Sequence, residues 1–245
     1  MTDPTRFQLE GQGPEISGLV HTEPALVLER IGLPAGSRAN LFSLRTAEME
    51  RRLQQLPAVA QAEVRAVLPD SLFVTVTERV PVFVWRVDGR DLLVDSTGIL
   101  VSEVVSTAPS AVSLPVVTDR RPAAAGPPAV GSTLDPVDLA VMLRLAGVTP
   151  ELLGSSAGRL ELSVEPNEGY VLTTVPPSWR AVFGQYTPTL RTPDLIDQQV
   201  QCLRSLLAQG EAAISTVHLA VADDRCGTYR PRATAGEGAS PTPEP

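Results

Sequence analysis

The chain has 245 residues, of which 43% are hydrophobic and 4% aromatic, and its formal net charge is −8. This length fits one large domain or two small ones, and the apolar content allows a packed core built mainly from Leu, Val and Ala. No strongly basic block supplies the clustered positive charge that a phosphate backbone needs, so we expect no nucleic-acid partner.

The first part of the sequence combines two helical patterns with two alternating ones. This order predicts a compact β-α-α-β-β unit over residues 16–79. Leu53 lies on the apolar face of the second helix, and Val64 lies on the inner face of the following hairpin, so both should be buried. The expected elements are a first strand ending at Gly18, a helix capped by Thr22 and reaching Ile31, a helix over 47–56 capped by Thr46, and strands over 60–66 and 72–77.

The rest of the chain predicts a second mixed domain with an antiparallel sheet and two helices, so the fold class is α+β. We expect an N-terminal segment (1–13), a first domain (14–80), a second domain (81–232) and a disordered polar tail (233–245). The Pro-, Ala- and Gly-rich residues 106–133 predict a long loop. The expected elements of the second domain are strands over 82–87, 92–95 and 99–101, a helix from the cap Asp135 to Gly147, strands over 160–164 and 170–174, a helix over 192–208, and strands over 216–222 and 228–230.

Cysteines and histidines are few, with two of each. Cys202 and Cys226 lack the spacing of a zinc site or a redox pair. Cys202 lies in a helical pattern, where a buried thiol is the simplest interpretation, while a disulfide with Cys226 stays open. His21 and His218 have no ligand-spaced partner, and no phosphate loop or dinucleotide motif is present. We therefore expect no metal and no cofactor.

Two short motifs are similar to those of hydrolases. Residues 154–158 match G-x-S-x-G around Ser156, but that motif needs a strand before the serine and a helix after it, and here a helix-like or irregular segment precedes it and a strand follows. Residues 95–98 (DSTG) resemble an aspartic-protease motif, but no second copy exists to share the proton, so a β-turn is expected. We expect no enzyme, and a serine hydrolase using Ser156 with His218 as base is kept as an alternative.

Several longer runs stand out along the chain. They are Gly18 followed by 36–42 (GSRANLF), 56–59 (LPAV), 64–69 (VRAVLP), 74–82 (VTVTERVPV), 93–99 (LVDSTGI), 182–184 (VFG), 198–207 and 216–219 (TVHL). Together they resemble the FtsQ/DivIB family of bacterial cell division proteins. The first of them resemble a POTRA domain, and the later ones resemble the domain that follows it in this family. In the final strand His218 and Ala220 stand where the family usually has Asp and Arg.

The resemblance implies a non-catalytic divisome scaffold. It also implies a position on the extracytoplasmic face of the cytoplasmic membrane at the septum, although the chain lacks the roughly 20-residue apolar run of a membrane helix. We therefore expect the membrane helix upstream of this chain. A POTRA-containing protein of outer-membrane assembly or secretion is the first alternative, but its barrel would need many more strands.

The resemblance also implies partners. These are short coiled-coil division proteins of the FtsB/FtsL (DivIC) type, which bind largely through the final strand, and septal peptidoglycan synthesis proteins. Alternation along residues 216–222 should turn Val217 and Leu219 toward the core. The outward residues, with the nearby aromatic side chain, then form the expected partner-binding patch. They are Thr216, His218, Ala220 and Tyr229.

Overall fold

The computed structural model describes residues 13–34, 39–104, 114–122, 126–220 and 226–232. They form twelve strands and five α-helices within the described part of the chain. The elements are β1 (Glu15–Ser17), α1 (Pro24–Ile31), α2 (Thr46–Gln54), β2 (Val59–Val67), β3 (Ser71–Glu78), β4 (Pro81–Val87), β5 (Arg90–Asp95), β6 (Leu100–Glu103), β7 (Val116–Asp119), α3 (Pro136–Ala146), α4 (Pro150–Leu153), β8 (Arg159–Glu165), β9 (Gly169–Val175), β10 (Arg180–Gly184), α5 (Leu195–Gly210), β11 (Ile214–Leu219) and β12 (Gly227–Pro231).

The chain divides into two compact units. The first comprises Met1–Val82, Leu92–Ala108 and Pro128–Leu134, and the second comprises the remaining residues. The boundary expected near residue 80 stays a prediction. Residues 233–245, which were expected to be disordered, lie outside the residues that the structure describes. The same holds for residues 1–12 of the expected N-terminal segment.

The first unit contains a three-stranded sheet in the order β1-β3-β2, with β1 parallel and β2 antiparallel to β3. The helices α1 and α2 supply apolar side chains to the same core, in which Leu53 is 0% and Val64 is 4% exposed. The β-α-α-β-β order and the burial of both residues are therefore confirmed. The hairpin of β5 and β6 also belongs to this unit, paired through Leu93 and Ser102.

The caps of the two helices differ from the prediction. Glu23 precedes α1, and the backbone N–H of Thr22 instead donates to the Glu78 carboxylate at 2.7 Å. Thr46 is the first residue of α2 and Arg45 is its cap, without a side-chain hydrogen bond. Thr22 differs from its expected role because a long-range carboxylate, which short-range patterns do not reveal, fixes the chain before α1.

The second unit is built on strands in the order β12-β11-β10-β9-β8-β7-β4. The pairs β4–β7, β7–β8 and β10–β11 are parallel, while β8–β9, β9–β10 and β11–β12 are antiparallel. The α+β class is confirmed, but the sheet is mixed where an antiparallel one was expected. The reason is that helices connect β7 to β8 and β10 to β11, and such crossovers join parallel strands.

Three elements of the second unit were missed by the sequence analysis, namely β7, β10 and the single-turn α4. The strand β7 lies inside the expected loop over 106–133, and its Val117 is 0% exposed between β4 and β8. Four residues are too few to show a period, so pairing with neighbours decides this strand. Among the described residues, no helix is long and apolar enough to cross a membrane.

Candidate functional site

The strand β11 carries two of the four residues expected to bind a partner, Thr216 and His218, and Ala220 follows its end. Val217 is 0% and Leu219 is 6% exposed, so the predicted inward face of the strand is confirmed. The backbone of β11 has no free edge, because β11 pairs with β10 on one side and with β12 on the other. A partner strand therefore has no open ladder position on β11.

The strand at the β11 end of this sheet is instead β12, which is an edge strand. All five of its residues are exposed, and within the described part of the chain it pairs with β11 alone. Its side away from β11 is called the outer edge below. The unpaired N–H and C=O groups of such an edge can receive an extended peptide as an additional strand.

The register of β11 and β12 separates the expected patch into two faces. Val217 lies opposite Tyr229 and His218 lies opposite Thr228, and residues directly opposite each other in an antiparallel pair share a face. Tyr229, which is 53% exposed, therefore lies on the face of Val217, not with Thr216 and His218 as predicted. The error arose because the pairing register cannot be read from either strand alone.

The fourth residue, Ala220, follows the end of β11 and is held through its backbone. Its carbonyl oxygen accepts a hydrogen bond from Nε2 of Gln199 at 3.3 Å. Gln199 is 4% exposed on the core side of α5, and its Oε1 accepts from the hydroxyl of Tyr186 at 2.5 Å. Burial raises the pKa of Tyr186, so its hydroxyl stays a donor. A polar residue at an apolar helix position was the sequence signal for this anchor.

Both ends of β12 are anchored to the rest of the unit. At its start, a disulfide joins Cys226 to Cys202 in α5, with a Cα–Cα distance of 5.1 Å. Gly227 has a φ of 114°, and a Cβ there would lie 2.1 Å from the backbone oxygen of His218, so only glycine fits. At its end, the N–H of Arg232 donates to the Ala213 carbonyl at 2.7 Å, and its guanidinium donates to the Ser178 carbonyl.

The G-x-S-x-G motif around Ser156 is organised by a carboxylate. Glu211 accepts hydrogen bonds from the Ser156 N–H at 2.9 Å, the Ser156 hydroxyl at 2.8 Å, the Ser155 hydroxyl and Nε1 of Trp179 at 2.7 Å. Desolvation raises the pKa of Glu211, but these hydrogen bonds outweigh it and lower the pKa to about 2. The motif follows the single turn α4 and precedes β8, so it lacks the strand-then-helix order that the hydrolase motif needs. Its serines therefore anchor a loop to an ionised carboxylate.

The DSTG segment forms the expected turn around Asp95. The N–H of Gly98 donates to the Asp95 carbonyl at 3.0 Å, and Oδ1 of Asp95 accepts from the N–H groups of Thr97 and Ile99 at 2.9 Å each. Its Oδ2 accepts from Arg79 at 2.7 Å. Desolvation raises the pKa of Asp95, but the hydrogen bonds from Arg79 and Thr97 lower it overall. Two of the runs that carry the family resemblance are thus joined by a largely buried ion pair.

Within the described residues, no group of three or more His, Cys, Asp and Glu side chains is arranged to hold a metal ion. The carboxylates of Glu211 and Asp95 are already occupied by donors from their own unit. The outer edge of β12 stays available as a candidate binding surface.

Comparison with known proteins agrees with the resemblance found in the sequence. Residues 15–79 match the family described as POTRA domain, FtsQ-type. The chain is similar to "Cell division protein FtsQ" from Koribacter versatilis, with 32% identity over 114 residues, 46% of this chain and 32% of that protein. It is also similar to the proteins of the same name from Corynebacterium glutamicum (36% over 85 residues, 34% of this chain and 37% of that one) and Novosphingobium aromaticivorans (37% over 90 residues, 37% of this chain and 28% of that one).

The matches cover a limited part of each chain. The aligned segments span between 28% and 37% of the length of these three relatives. The resemblance to FtsQ cell division proteins is confirmed over these aligned segments. Residues 15–79 match the POTRA domain of the FtsQ type.

Proposed function

Since the chain contains an FtsQ-type POTRA domain and is similar to cell division proteins named FtsQ, we propose that it is a non-catalytic scaffold of the division machinery. It acts on the extracytoplasmic face of the cytoplasmic membrane, at the septum. Its task is to bind other division proteins and hold them together while the septum forms.

The outer edge of β12 is the observation that carries this proposal. A partner segment adds there as a further strand, and its backbone pairs with that of β12. Tyr229 provides an aromatic anchor on one face of the new strand, while Thr228 and Arg230 flank it on the other face. The partners are short coiled-coil division proteins of the FtsB/FtsL (DivIC) type, with septal peptidoglycan synthesis proteins as further members of the assembly.

The contacts of the candidate catalytic groups support a non-catalytic role. The hydroxyl of Ser156 donates to Glu211, and Asp95 is enclosed by Arg79, Thr97 and Ile99. Each group stabilises a local turn or loop. A binding edge therefore explains the second unit better than a hydrolytic centre does.

Calorimetric titration of the full chain with the soluble segment of the coiled-coil division protein from the same organism tests the proposal. We expect Tyr229→Ala to weaken binding about tenfold or more, as truncation of a central aromatic anchor usually does. Leu190→Ala is the matched control, since it removes an apolar side chain that is 87% exposed in the same unit. It should leave the Kd within about twofold, typical of a non-anchor position.

Amide hydrogen exchange of the complex locates the contact independently of any substitution. The amides of β12 should become protected when the partner binds. Unchanged affinity of Tyr229→Ala, together with new protection in β2 of the POTRA domain and none in β12, would show that the partner uses a different edge.

A further inference from the structure

We propose that the Cys202–Cys226 disulfide is a redox-controlled latch that holds β12 against the sheet, so that its reduction releases the outer edge from its binding geometry. The link to partner binding rests on the function proposed above, whereas the latch itself does not.

The need for a latch follows from the exposure of β12. All five of its residues are exposed, so the strand contributes no buried side chain to the core. Elements with few buried apolar contacts open locally at low free-energy cost. The ladder to β11 and the anchors at the two ends of β12 therefore carry most of its attachment.

The two cysteines sit on elements of very different stability. Cys202 lies in α5 beside Leu203, which is 0% exposed. Leu203 itself lies one turn from Val200 and Leu207, on the buried face of the helix. Cys226 immediately precedes β12. The disulfide thus ties a weakly held edge strand to a helix that is part of the core.

The disulfide is also open to attack. Cys226 is exposed, while Cys202 is half-buried. Exposed disulfides are the ones that thiol–disulfide exchange reaches, and the attacking species is a thiolate. The exposed Cys226 Sγ is therefore the position at which a reducing dithiol attacks.

The exchange needs a dithiol reductant and proceeds in two displacements. A thiolate of the dithiol bonds to Cys226 Sγ and the Cys202 thiolate leaves and is protonated. The second thiol of the dithiol, as thiolate, then displaces Cys226, which is protonated in turn. The dithiol ends as a disulfide, having given two electrons, and the protein ends with two thiols.

Release is confined to one end because the other end keeps its contacts. Arg232 donates to the carbonyls of Ala213 and Ser178, and the Ser215 hydroxyl donates to the Arg230 carbonyl at 3.1 Å. None of these bonds involves sulfur. We expect the reduced strand to detach from Gly227 onward and to stay attached near Arg230.

Partner binding should weaken as the fraction of molecules with β12 paired to β11 decreases. An apparent Kd rises in inverse proportion to the population of the competent state. If β12 is in place in only about a tenth of the reduced molecules, binding weakens about tenfold.

Hydrogen exchange on the full chain tests the latch directly. Three samples are compared, namely the oxidised protein, the same protein with dithiothreitol, and a Cys202→Ser/Cys226→Ser double variant. We expect the β12 amides that are hydrogen-bonded to β11 to exchange about tenfold faster in the last two samples, as for a locally opened strand. Residues of β8 and β9 serve as an internal control and should be unchanged, which shows that the unit stays folded.

The titration with the coiled-coil partner segment is then repeated on the same three samples. Faster exchange in β12 with about tenfold weaker binding supports the proposal. Unchanged exchange in β12 overturns the latch, and faster exchange with unchanged affinity overturns its control of binding. If the oxidised protein binds no partner, the proposed function fails, while the exchange data alone still decide whether the latch exists.

Discussion

Replacement of Glu211 by alanine should clearly destabilise the second unit. Glu211 accepts hydrogen bonds from Ser155, Ser156 and Trp179. Trp179 is only 2% exposed, so water cannot easily replace the lost acceptor. The substitution therefore leaves a buried donor without a partner.

The magnitude follows from these contacts. A buried donor that loses its acceptor costs about 1–3 kcal/mol, and the serine donors add to this, so we expect a total of about 3 kcal/mol. Glu211→Gln keeps the shape and one acceptor oxygen, so about 1 kcal/mol is expected. For a unit of this size, about 3 kcal/mol corresponds to a fall in Tm of about 6–12 °C.

Chemical denaturation, monitored by tryptophan fluorescence, measures the change in the free energy of unfolding of the second unit. A Trp85→Phe background leaves Trp179 as the single reporter, since the chain has two tryptophans. The control is Glu161→Gln, whose side chain is 60% exposed and forms a surface ion pair with Arg159. That change should cost less than about 1 kcal/mol.

The pH dependence gives a second, independent readout of the same carboxylate. The pKa of Glu211 is lowered in the folded protein to about 2 from an ordinary 4.5. Its stabilising contribution is therefore complete above pH 4.5 and is lost as the pH falls toward about 2. Glu211→Gln should flatten the stability profile in that window. Equal stability of Glu211→Ala and the parent protein at neutral pH would refute the reasoning.

Three further predictions concern the core, the turn and the candidate nucleophile. Leu53→Ala should lower the free energy of unfolding by about 2–5 kcal/mol in urea denaturation. The control Leu26→Ala, at a position 45% exposed, should cost less than half as much. Similar losses in the two variants would show that Leu53 is not in the core. Asp95→Ala leaves the guanidinium of Arg79 without its partner and should cost about 3 kcal/mol by the same measurement, and a loss below about 1 kcal/mol would contradict the assigned ion pair. An active-site serine reagent should leave the chain unlabelled, so stoichiometric labelling that disappears in Ser156→Ala would restore the hydrolase alternative.

The elements with a clear period could be predicted from the sequence. Leu53 and Val64 lie on regular apolar faces of α2 and β2, and both are buried. The long helix α5 was also expected, although it begins at Leu195, three residues after its predicted start at 192. Local periodicity is sufficient in these cases because each element buries one continuous face.

The features that depend on long-range pairing could not be predicted. The short β7 exists because β4 and β8 hold it on both sides. The face of Tyr229 depends on its register opposite Val217, and Glu211 meets Ser155 across 56 positions of sequence. The disulfide belongs to the same class, since the sequence left the state of Cys202 and Cys226 open. Each of these contacts is fixed by tertiary structure, which a single sequence does not display.

Site-specific photo-crosslinking in dividing cells tests the central claim most directly. A photoreactive phenylalanine analogue replaces Tyr229 on β12, and in a parallel strain it replaces Leu190. Our account predicts a cross-link from position 229 to a short coiled-coil division protein, and none from position 190. Absence of that cross-link from position 229, with cross-links to the same protein from the POTRA strand β2, would contradict it.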